Sequence, residues 1–179
     1  YADPIVRNVT ITDNKAEGDL VTYGNGGGVY NDCASPKFVN VLICKNESMD
    51  EGGGMYNSTG SNPQLINVAI AHNKADDGGG MYNETAWFSP DAKPLLYNTI
   101  VYGNTADEDR NICNVDEGTY IHSLVEGIDL SGTNNLDKST LPGWKTDSYE
   151  LSEQSLLIDK GEKSYNDTPI GCKGYKRVI

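Results

Sequence analysis

GGGVYN at residues 26–31 recurs as GGGMYN at residues 52–57 and again at residues 78–83, so each copy begins 26 residues after the one before. A fixed period of this length is typical of a solenoid, in which each repeat forms one coil and only stacking of the coils buries a continuous core. The glycines supply positive φ angles and close backbone approach at a corner of the coil. We therefore predict an all-β chain folded as a right-handed parallel β-helix.

A second repeat lies between the glycine runs. Its copies are PIVRNVTITDNKA from Pro4, PKFVNVLICKNES from Pro36, PQLINVAIAHNKA from Pro63 and PLLYNTIVYGNTA from Pro94. In every copy an Asn follows the Pro by four residues, and the positions two before, one after and three after this Asn are almost all apolar. Because side chains alternate along a strand, these positions share one interior only if the chain bends at the Asn. The pattern predicts two short strands that meet at an Asn corner in each coil.

Asparagines should also stack from coil to coil. Equivalent side chains on neighbouring coils are expected about 4.8 Å apart, which is the spacing of neighbouring strands. At that spacing each side-chain amide can donate to one neighbour and accept from the other, which satisfies polar groups at a corner. We predict two asparagine ladders, one of Asn8, Asn40, Asn67 and Asn98 and one of Asn14, Asn46, Asn73 and Asn104.

The chain divides into two regions. Residues 1–113 carry the regular coils, whereas residues 114–179 depart from the repeat and are expected to form the terminal coil or coils and a less regular C-terminal cap. A cap is needed because an uncovered last coil exposes a sheet edge and the core. The candidate cap residues are Trp144, Leu151, Leu156, Leu157 and Ile158. The chain opens inside the repeat, so we interpret it as a fragment of a longer protein.

The charge of the chain restricts its partners. Lys and Arg total 14 against 26 Asp and Glu. The formal net charge of −12 predicts no nucleic-acid partner, because such a surface repels phosphate backbones. No run approaches the roughly 18 apolar residues of a transmembrane helix. The cysteines, Cys33, Cys44, Cys113 and Cys172, have no CxxC spacing, so free thiols and one or two disulfides are both open alternatives.

Acidic residues precede the later glycine runs and recur in the fourth coil. The row comprises Asp50, Glu51, Asp76 and Asp77, followed by Asp107, Glu108 and Asp109. Stacked on adjacent coils, these carboxylates could supply the six to eight oxygen ligands that Ca²⁺ takes. We identify Asp50, Glu51, Asp76 and Asp77 as candidate metal ligands, with calcium as the one candidate cofactor. The interpretation we favour is a solvated row that forms turns and binds no cofactor, and calcium binding is the alternative.

Aromatic side chains offer a second candidate site. Tyr30, Tyr56 and Tyr82 occupy the same position of the three hexapeptides, directly after Val29, Met55 and Met81. Alternation buries one of these sets and exposes the other, and we expect the aliphatic set to be buried. Outward tyrosine faces could then contact sugar rings. Trp87 lies in the insertion at residues 84–93, which we expect to cover a coil edge; the alternative is ligand contact, which makes Trp87 the fourth candidate ligand-binding residue.

Together these motifs resemble the right-handed parallel β-helix repeat proteins of the pectate-lyase-like superfamily. The likeness is strongest to bacterial surface and secreted proteins that pair GGGMYN coils with coils of the SP-x-L-x-N type. It covers residues 1–114, and IHSLVEG at residues 121–127 is similar to a segment that follows such coils. The closing strand of the family is missing. The resemblance implies a secreted protein or one on the bacterial outer surface.

Enzymes of this superfamily use residue sets that this chain does not reproduce. Pectate lyases pair calcium-binding Asp residues with a basic Arg, and polygalacturonases use NTD, DD and GHG segments with a downstream RIK. Asp76-Asp77 is the only DD in this chain, and neither GHG nor RIK occurs. His72 and His122 are isolated and are assigned no metal-binding role. We assign no catalytic residue.

Two functional hypotheses of different classes follow. The first, which we favour, is a monomeric extracellular module with a structural or adhesive role and no catalytic activity of its own. Its partner would be a glycan or a host or cell-surface protein. The second is a carbohydrate-active or glycan-binding domain, similar to polysaccharide lyases and hydrolases and dependent on calcium if the acidic row binds it. A concave face with clustered carboxylates would favour the second hypothesis.

Overall fold

The computed structural model describes residues 3–19, 21–145 and 149. They form an all-β fold in which parallel sheets stack as a solenoid of about 4 turns, as the repeats predict. The strands are β1 (Ile5–Arg7), β2 (Thr10–Thr12), β3 (Lys15–Ala16), β4 (Val29–Asn31), β5 (Lys37–Cys44), β6 (Glu47–Ser48), β7 (Met55–Asn57), β8 (Gln64–Ala71), β9 (Met81–Asn83), β10 (Leu95–Tyr97), β11 (Ile100–Tyr102), β12 (Ile112–Cys113), β13 (Thr119–Ile121) and β14 (Leu124–Val125). In the described part of the chain, one 3-10 turn, Val115–Glu117, lies between β12 and β13.

Three parallel sheets form the sides of the solenoid. The largest has the order β1-β5-β8-β10-β13 and also contains β2, β11 and β14; the second has the order β12-β9-β7-β4; the third pairs β3 with β6. Pairing joins equivalent residues of successive coils, for example Phe38 with Leu65 and Met55 with Met81. The offset between paired residues is therefore the length of one coil, which is 27 residues from Phe38 to Leu65 and 26 residues from Met55 to Met81.

The predicted bend at the first Asn of each copy is confirmed. Asn8, Asn40, Asn67 and Asn98 have φ angles of 56°, 55°, 54° and 49°. Asn tolerates this left-handed conformation better than most residues do. The bend interrupts side-chain alternation, so that Leu65 before it and Val68 after it both lie in the core.

Stacked columns of apolar side chains fill the interior. One column runs through Val6, Phe38, Leu65, Leu96 and Tyr120, and a second through Ile11, Ile43, Ile70, Val101 and Val125. Met55, Met81 and Ile112 contribute to the same cluster from the second sheet. Thr99, which stands where other coils have Val, is also buried, and its hydroxyl donates to the Leu65 carbonyl at 3.3 Å.

The first predicted ladder is present at the Asn corner. Each side-chain amide donates to the Asn of the preceding coil, with Asn40 bonding Asn8 at 3.2 Å, Asn67 bonding Asn40 at 3.3 Å and Asn98 bonding Asn67 at 3.0 Å. His122 occupies the corner after Asn98, with a φ of 50°. Its ring lies 3.3 Å from the side-chain nitrogen of Asn134, so a polar column continues past the last ladder Asn.

The second predicted ladder is also present and donates in the opposite direction. Asn14 bonds Asn46 at 2.9 Å, Asn46 bonds Asn73 at 3.0 Å and Asn73 bonds Asn104 at 3.0 Å. Asn46, Asn73 and Asn104 are almost completely buried, at 1%, 0% and 0% exposure. Their backbone N–H groups join the ladder too, as in the 2.9 Å bond from the Asn46 N–H to Asn73 Oδ1. The ladder therefore satisfies backbone and side-chain groups that water does not reach.

The third glycine of the hexapeptide lies against both the next coil and the second ladder. A Cβ on Gly54 would lie 2.5 Å from the carbonyl oxygen of Gly80 and 2.9 Å from Nδ2 of Asn73, both closer than such atoms approach. In the fourth coil Asn111 stands at the equivalent place and accepts from Asn104 at 3.0 Å. Its own amide donates to the Glu126 carbonyl at 3.0 Å. Asn111 thus ends the ladder with a side chain that earlier coils have no space for.

The region after residue 113 continues the coiling, because β13 and β14 pair in parallel with β10 and β11. Trp144, predicted as part of the cap, packs against Ile100 and Leu124. Alternation places those two side chains on the outer face of the largest sheet, since their neighbours Val101 and Val125 point into the core. The other predicted cap residues, Leu151, Leu156, Leu157 and Ile158, lie outside the described residues.

Candidate functional site

The hexapeptide strands place their tyrosines on the outside of the solenoid. Met55 and Met81 are fully buried, whereas Tyr30 is 53% exposed. The expectation that the aliphatic set faces inward is therefore confirmed. Tyr56 is nevertheless only 5% exposed, because its neighbours cover it.

The three tyrosine rings stack on one another. The ring centroids of Tyr30 and Tyr56 are 4.9 Å apart with planes inclined by 20°, and those of Tyr56 and Tyr82 are 5.4 Å apart with planes inclined by 8°. Each ring covers the face of the next, so the column presents mainly ring edges to solvent. Tyr30, at the N-terminal end, keeps one face outside the stack. The structure thus brings the predicted tyrosines together as a self-stacked column rather than as three open faces.

Two glutamates hold the hydroxyls of the tyrosine column. Tyr56 is hydrogen-bonded to Glu84, and Tyr82 to Glu51. Burial raises the pKa of both phenols well above the ordinary value of about 10, and the nearby carboxylates raise it further. Burial also raises the pKa of Glu51, and the hydrogen bond from Tyr82 opposes that shift. These phenols therefore act as neutral hydrogen-bond donors at physiological pH.

The raised pKa values predict a two-step tyrosine titration. A phenol whose pKa is raised in the folded state contributes stability that is fully present below its unfolded pKa, about 10, and is lost as the pH rises towards its folded pKa. Phenolate absorbance should therefore show a late step that coincides with alkaline unfolding, and Tyr56→Phe should remove one phenol from that step. In urea, all 11 tyrosines should ionise together. Ionisation of Tyr56 at a pH near the ordinary phenol pKa of about 10, while the chain is still folded, would contradict the prediction.

The acidic row stacks at the backbone as predicted. Parallel bridges join Glu51 to Asp77 and Asp77 to Glu108. The N–H groups of both Asp76 and Asp77 donate to the carbonyl of Asp50, at 2.9 and 3.2 Å. The row therefore continues the coil-to-coil pairing of the solenoid.

The carboxylates of the acidic row form hydrogen bonds with different partners. Asp50 accepts from the Gly24 N–H at 2.6 Å, and Glu51 accepts from the Asn25 amide at 3.1 Å. Asp76 is exposed to solvent. Asp50 and Glu51 thus use oxygens to hold the adjacent coil, whereas a calcium site would need those oxygens to converge on one point.

One candidate metal centre involves a single member of the predicted set. Among the described residues, the one group of three His, Cys, Asp or Glu side chains whose ligand atoms all lie within 4.8 Å of one another is Asp77, Asp109 and Cys113. Burial raises the pKa of the Cys113 thiol, and hydrogen bonds to Asp109 and Asp77 raise it further. Cys33, Cys44 and Cys113 are free thiols, and Cys172 lies outside the described residues.

The loop that carries Trp87 projects from the solenoid. Trp87 is 98% exposed and Phe88 is 100% exposed, so these side chains cover no coil edge. The base of the loop is fixed by the bond from the Ala92 N–H to the Glu84 carbonyl at 3.0 Å. Because Glu84 also bonds Tyr56, the loop starts beside the tyrosine column.

A third ladder was not predicted. It joins Asn31 to Asn57 at 2.7 Å and Asn57 to Asn83 at 2.9 Å, and all three side chains are at most 5% exposed. These are the last residues of the three hexapeptides, so the signal was present in the repeat. It was missed because the hexapeptide was interpreted through its glycines and tyrosines.

The fold and its three ladders define a class, the parallel β-solenoids with buried asparagine ladders. Comparison of the chain with protein-family models, curated proteins and solved structures found no match in any of the three. Within the described part of the chain, no helical segment has the length and apolar character needed to cross a membrane.

Proposed function

We propose that this chain is a non-catalytic structural or adhesive module of an extracellular, bacterial β-helix protein of the pectate-lyase-like kind. The observation that carries the proposal is that two of the four candidate carboxylates, Asp50 and Glu51, hold neighbouring coils together. Asp50 accepts from the Gly24 N–H of the preceding coil at 2.6 Å, and Glu51 accepts from the Asn25 amide at 3.1 Å. A group that is tied to the scaffold in this way supports rigidity better than proton transfer to a substrate. Fold alone does not decide the function.

The test of the non-catalytic proposal is a degradation assay on the intact chain. Polygalacturonate, xylan and a neutral β-glucan are incubated with the chain, with and without Ca²⁺. We expect no new reducing ends and no unsaturated products under either condition. Calcium-dependent cleavage that disappears in Asp76→Asn would overturn the proposal and direct attention to the acidic row.

The second candidate function is glycan binding, and the free face of Tyr30 and the exposed Trp87 favour it. An aromatic face can pack against the apolar face of a sugar. The negative charge of the surface favours a neutral glycan. On this hypothesis Tyr30 and Trp87 are the contacts, rather than the covered face of Tyr56.

A glycan array with single variants separates the two functions. If the chain binds glycans through these aromatics, Tyr30→Ala and Trp87→Ala should each weaken binding to a neutral glycan by about tenfold, which corresponds to about 1.4 kcal/mol. Tyr23→Ala is the matched control, because Tyr23 is 83% exposed and lies outside the column. Absence of any glycan binding by the intact chain would leave the structural or protein-adhesive role as the better account.

A further inference from the structure

The fourth copy of the hexapeptide differs from the others at the position of the tyrosine. NICN at residues 111–114 replaces GMYN, and β12 pairs Cys113 with Tyr82. Cys113 therefore follows Tyr82 in the column, and it is 6% exposed. A thiol takes the place of a phenol at one end of the aromatic stack.

Two carboxylates converge on this thiol from different coils. Sγ of Cys113 lies 3.4 Å from Oδ2 of Asp77, and Asp109 is also hydrogen-bonded to the thiol. Asp77 belongs to the coil of Tyr82, whereas Asp109 and Cys113 belong to the next coil. The three ligand atoms all lie within 4.8 Å of one another.

A separate observation concerns the other oxygen of Asp77. Oδ1 of Asp77 is buried and has no hydrogen-bond partner among the described residues. A buried carboxylate oxygen without a donor costs free energy unless a cation or a proton donor satisfies it. The bond between Asp77 and Cys113 uses the other oxygen, so it leaves this atom unexplained.

We propose that Asp77, Asp109 and Cys113 bind a divalent transition-metal ion of the zinc type through the two carboxylates and the thiolate. In tetrahedral zinc coordination, with Zn–S of about 2.3 Å and Zn–O of about 2.1 Å, a sulfur and an oxygen ligand lie about 3.6 Å apart. The separation of Cys113 Sγ and Asp77 Oδ2, 3.4 Å, is close to this value, and an ion bound by both oxygens of Asp77 would also satisfy its unpaired Oδ1. Three protein side chains leave a position for water.

The donor set distinguishes zinc from calcium. Calcium takes oxygen ligands only and needs six to eight of them, whereas a thiolate selects softer ions such as Zn²⁺. A bound ion would join the coil of Asp77 to the coil of Cys113 at the end of the tyrosine column. The site goes beyond the proposed structural role, because that role requires no metal.

The test uses the full chain, stripped of metal and titrated with Co²⁺ and then Zn²⁺. We expect one equivalent of Co²⁺ to produce tetrahedral d–d bands and a thiolate-to-cobalt charge-transfer band, and Zn²⁺, but not excess Ca²⁺, to remove them. Cys113→Ser should abolish the charge-transfer band. Asp77→Asn and Asp109→Asn should each weaken zinc binding by at least about tenfold.

Matched controls make the test decisive. Asp116→Asn removes an exposed carboxylate three residues after Cys113, and Cys33→Ser removes an exposed thiol, so both should bind the metal as the unaltered chain does. Circular dichroism checks that each variant is folded, and the exposed Asp109 provides a variant that keeps the core intact. Lack of a cobalt spectrum in the folded chain, or a charge-transfer band that depends on Cys33 instead of Cys113, would overturn the proposal.

Discussion

Replacing Gly53 by Ala is expected to lower the free energy of unfolding by at least about 3 kcal/mol, which is a large effect for the addition of one methyl group. A Cβ at this position would lie 2.5 Å from the carbonyl oxygen of Gly79 and would also contact the carbonyl of Lys74. Both atoms are backbone of the next coil, so they cannot move aside as a flexible side chain can. The two coils would have to separate, which would break their hydrogen bonds. Urea unfolding followed by circular dichroism measures the change.

Gly60→Ala is the matched control for this prediction. Gly60 has a φ of 77°, and a Cβ there would meet nothing within 4 Å. Only the strain of a left-handed Ala remains, which costs about 1–2 kcal/mol. If Gly53→Ala were no more destabilising than Gly60→Ala, the close approach of coils at the glycine run would be disproved.

Replacing Asn73 by Ala is expected to cost about 3–5 kcal/mol of unfolding free energy, because it breaks the second ladder in its buried interior. Oδ1 of Asn73 accepts from the backbone N–H and the side-chain amide of Asn46 at 2.9 and 3.0 Å. Nδ2 of Asn73 donates to the Ile43 carbonyl and to Asn104, both at 3.0 Å. Each buried group left without its partner costs about 1–3 kcal/mol, and the Ala side chain supplies no replacement.

Two further variants separate the ladder from simple packing. Asn73→Asp keeps the size of the side chain but replaces the donor with an oxygen that faces two acceptors, so we expect it to be strongly destabilising without creating a cavity. Asn14→Ala removes the exposed first member of the ladder and should cost less than about 1 kcal/mol. A small effect of Asn73→Asp would show that the ladder matters for volume rather than for hydrogen bonding.

Most of the fold could be predicted from the sequence because a solenoid repeats the same local structure in every coil. The hexapeptides and the Asn pairs recur at nearly fixed spacing, so stacking them in register is the arrangement that buries all their apolar positions together. Alternation required one of the two sets to face inward, and the expectation that Met55 and Met81 do so is confirmed. The self-stacking of the tyrosine rings could not be predicted in this way. Alternation determines the side of the sheet on which a ring lies, but not the orientation of its face.

The candidate metal centre was predictable only in part, since its members belong to different repeats. Asp77 was identified from the acidic row, but Cys113 belongs to a fourth hexapeptide in which Asn111 replaces a glycine. Asp109 has a φ of 36°, a backbone conformation that no motif signals. The distance between these three side chains depends on how the irregular coil of Asp109 and Cys113 packs on the regular coil of Asp77.

The sequence by itself determined the solenoid, its coil length, its Asn corners and two of its ladders, because these depend on interactions that repeat at every coil. Only the tertiary structure decided which carboxylates bind neighbouring coils, which tyrosine keeps an open face and which thiol lies between two aspartates. Those outcomes depend on side-chain orientation across coils that are 20–30 residues apart in the chain, as with the 26-residue separation of Asn25 and Glu51. A periodic pattern specifies that two residues are stacked. The direction of each side chain depends instead on which of the surrounding groups forms a hydrogen bond with it.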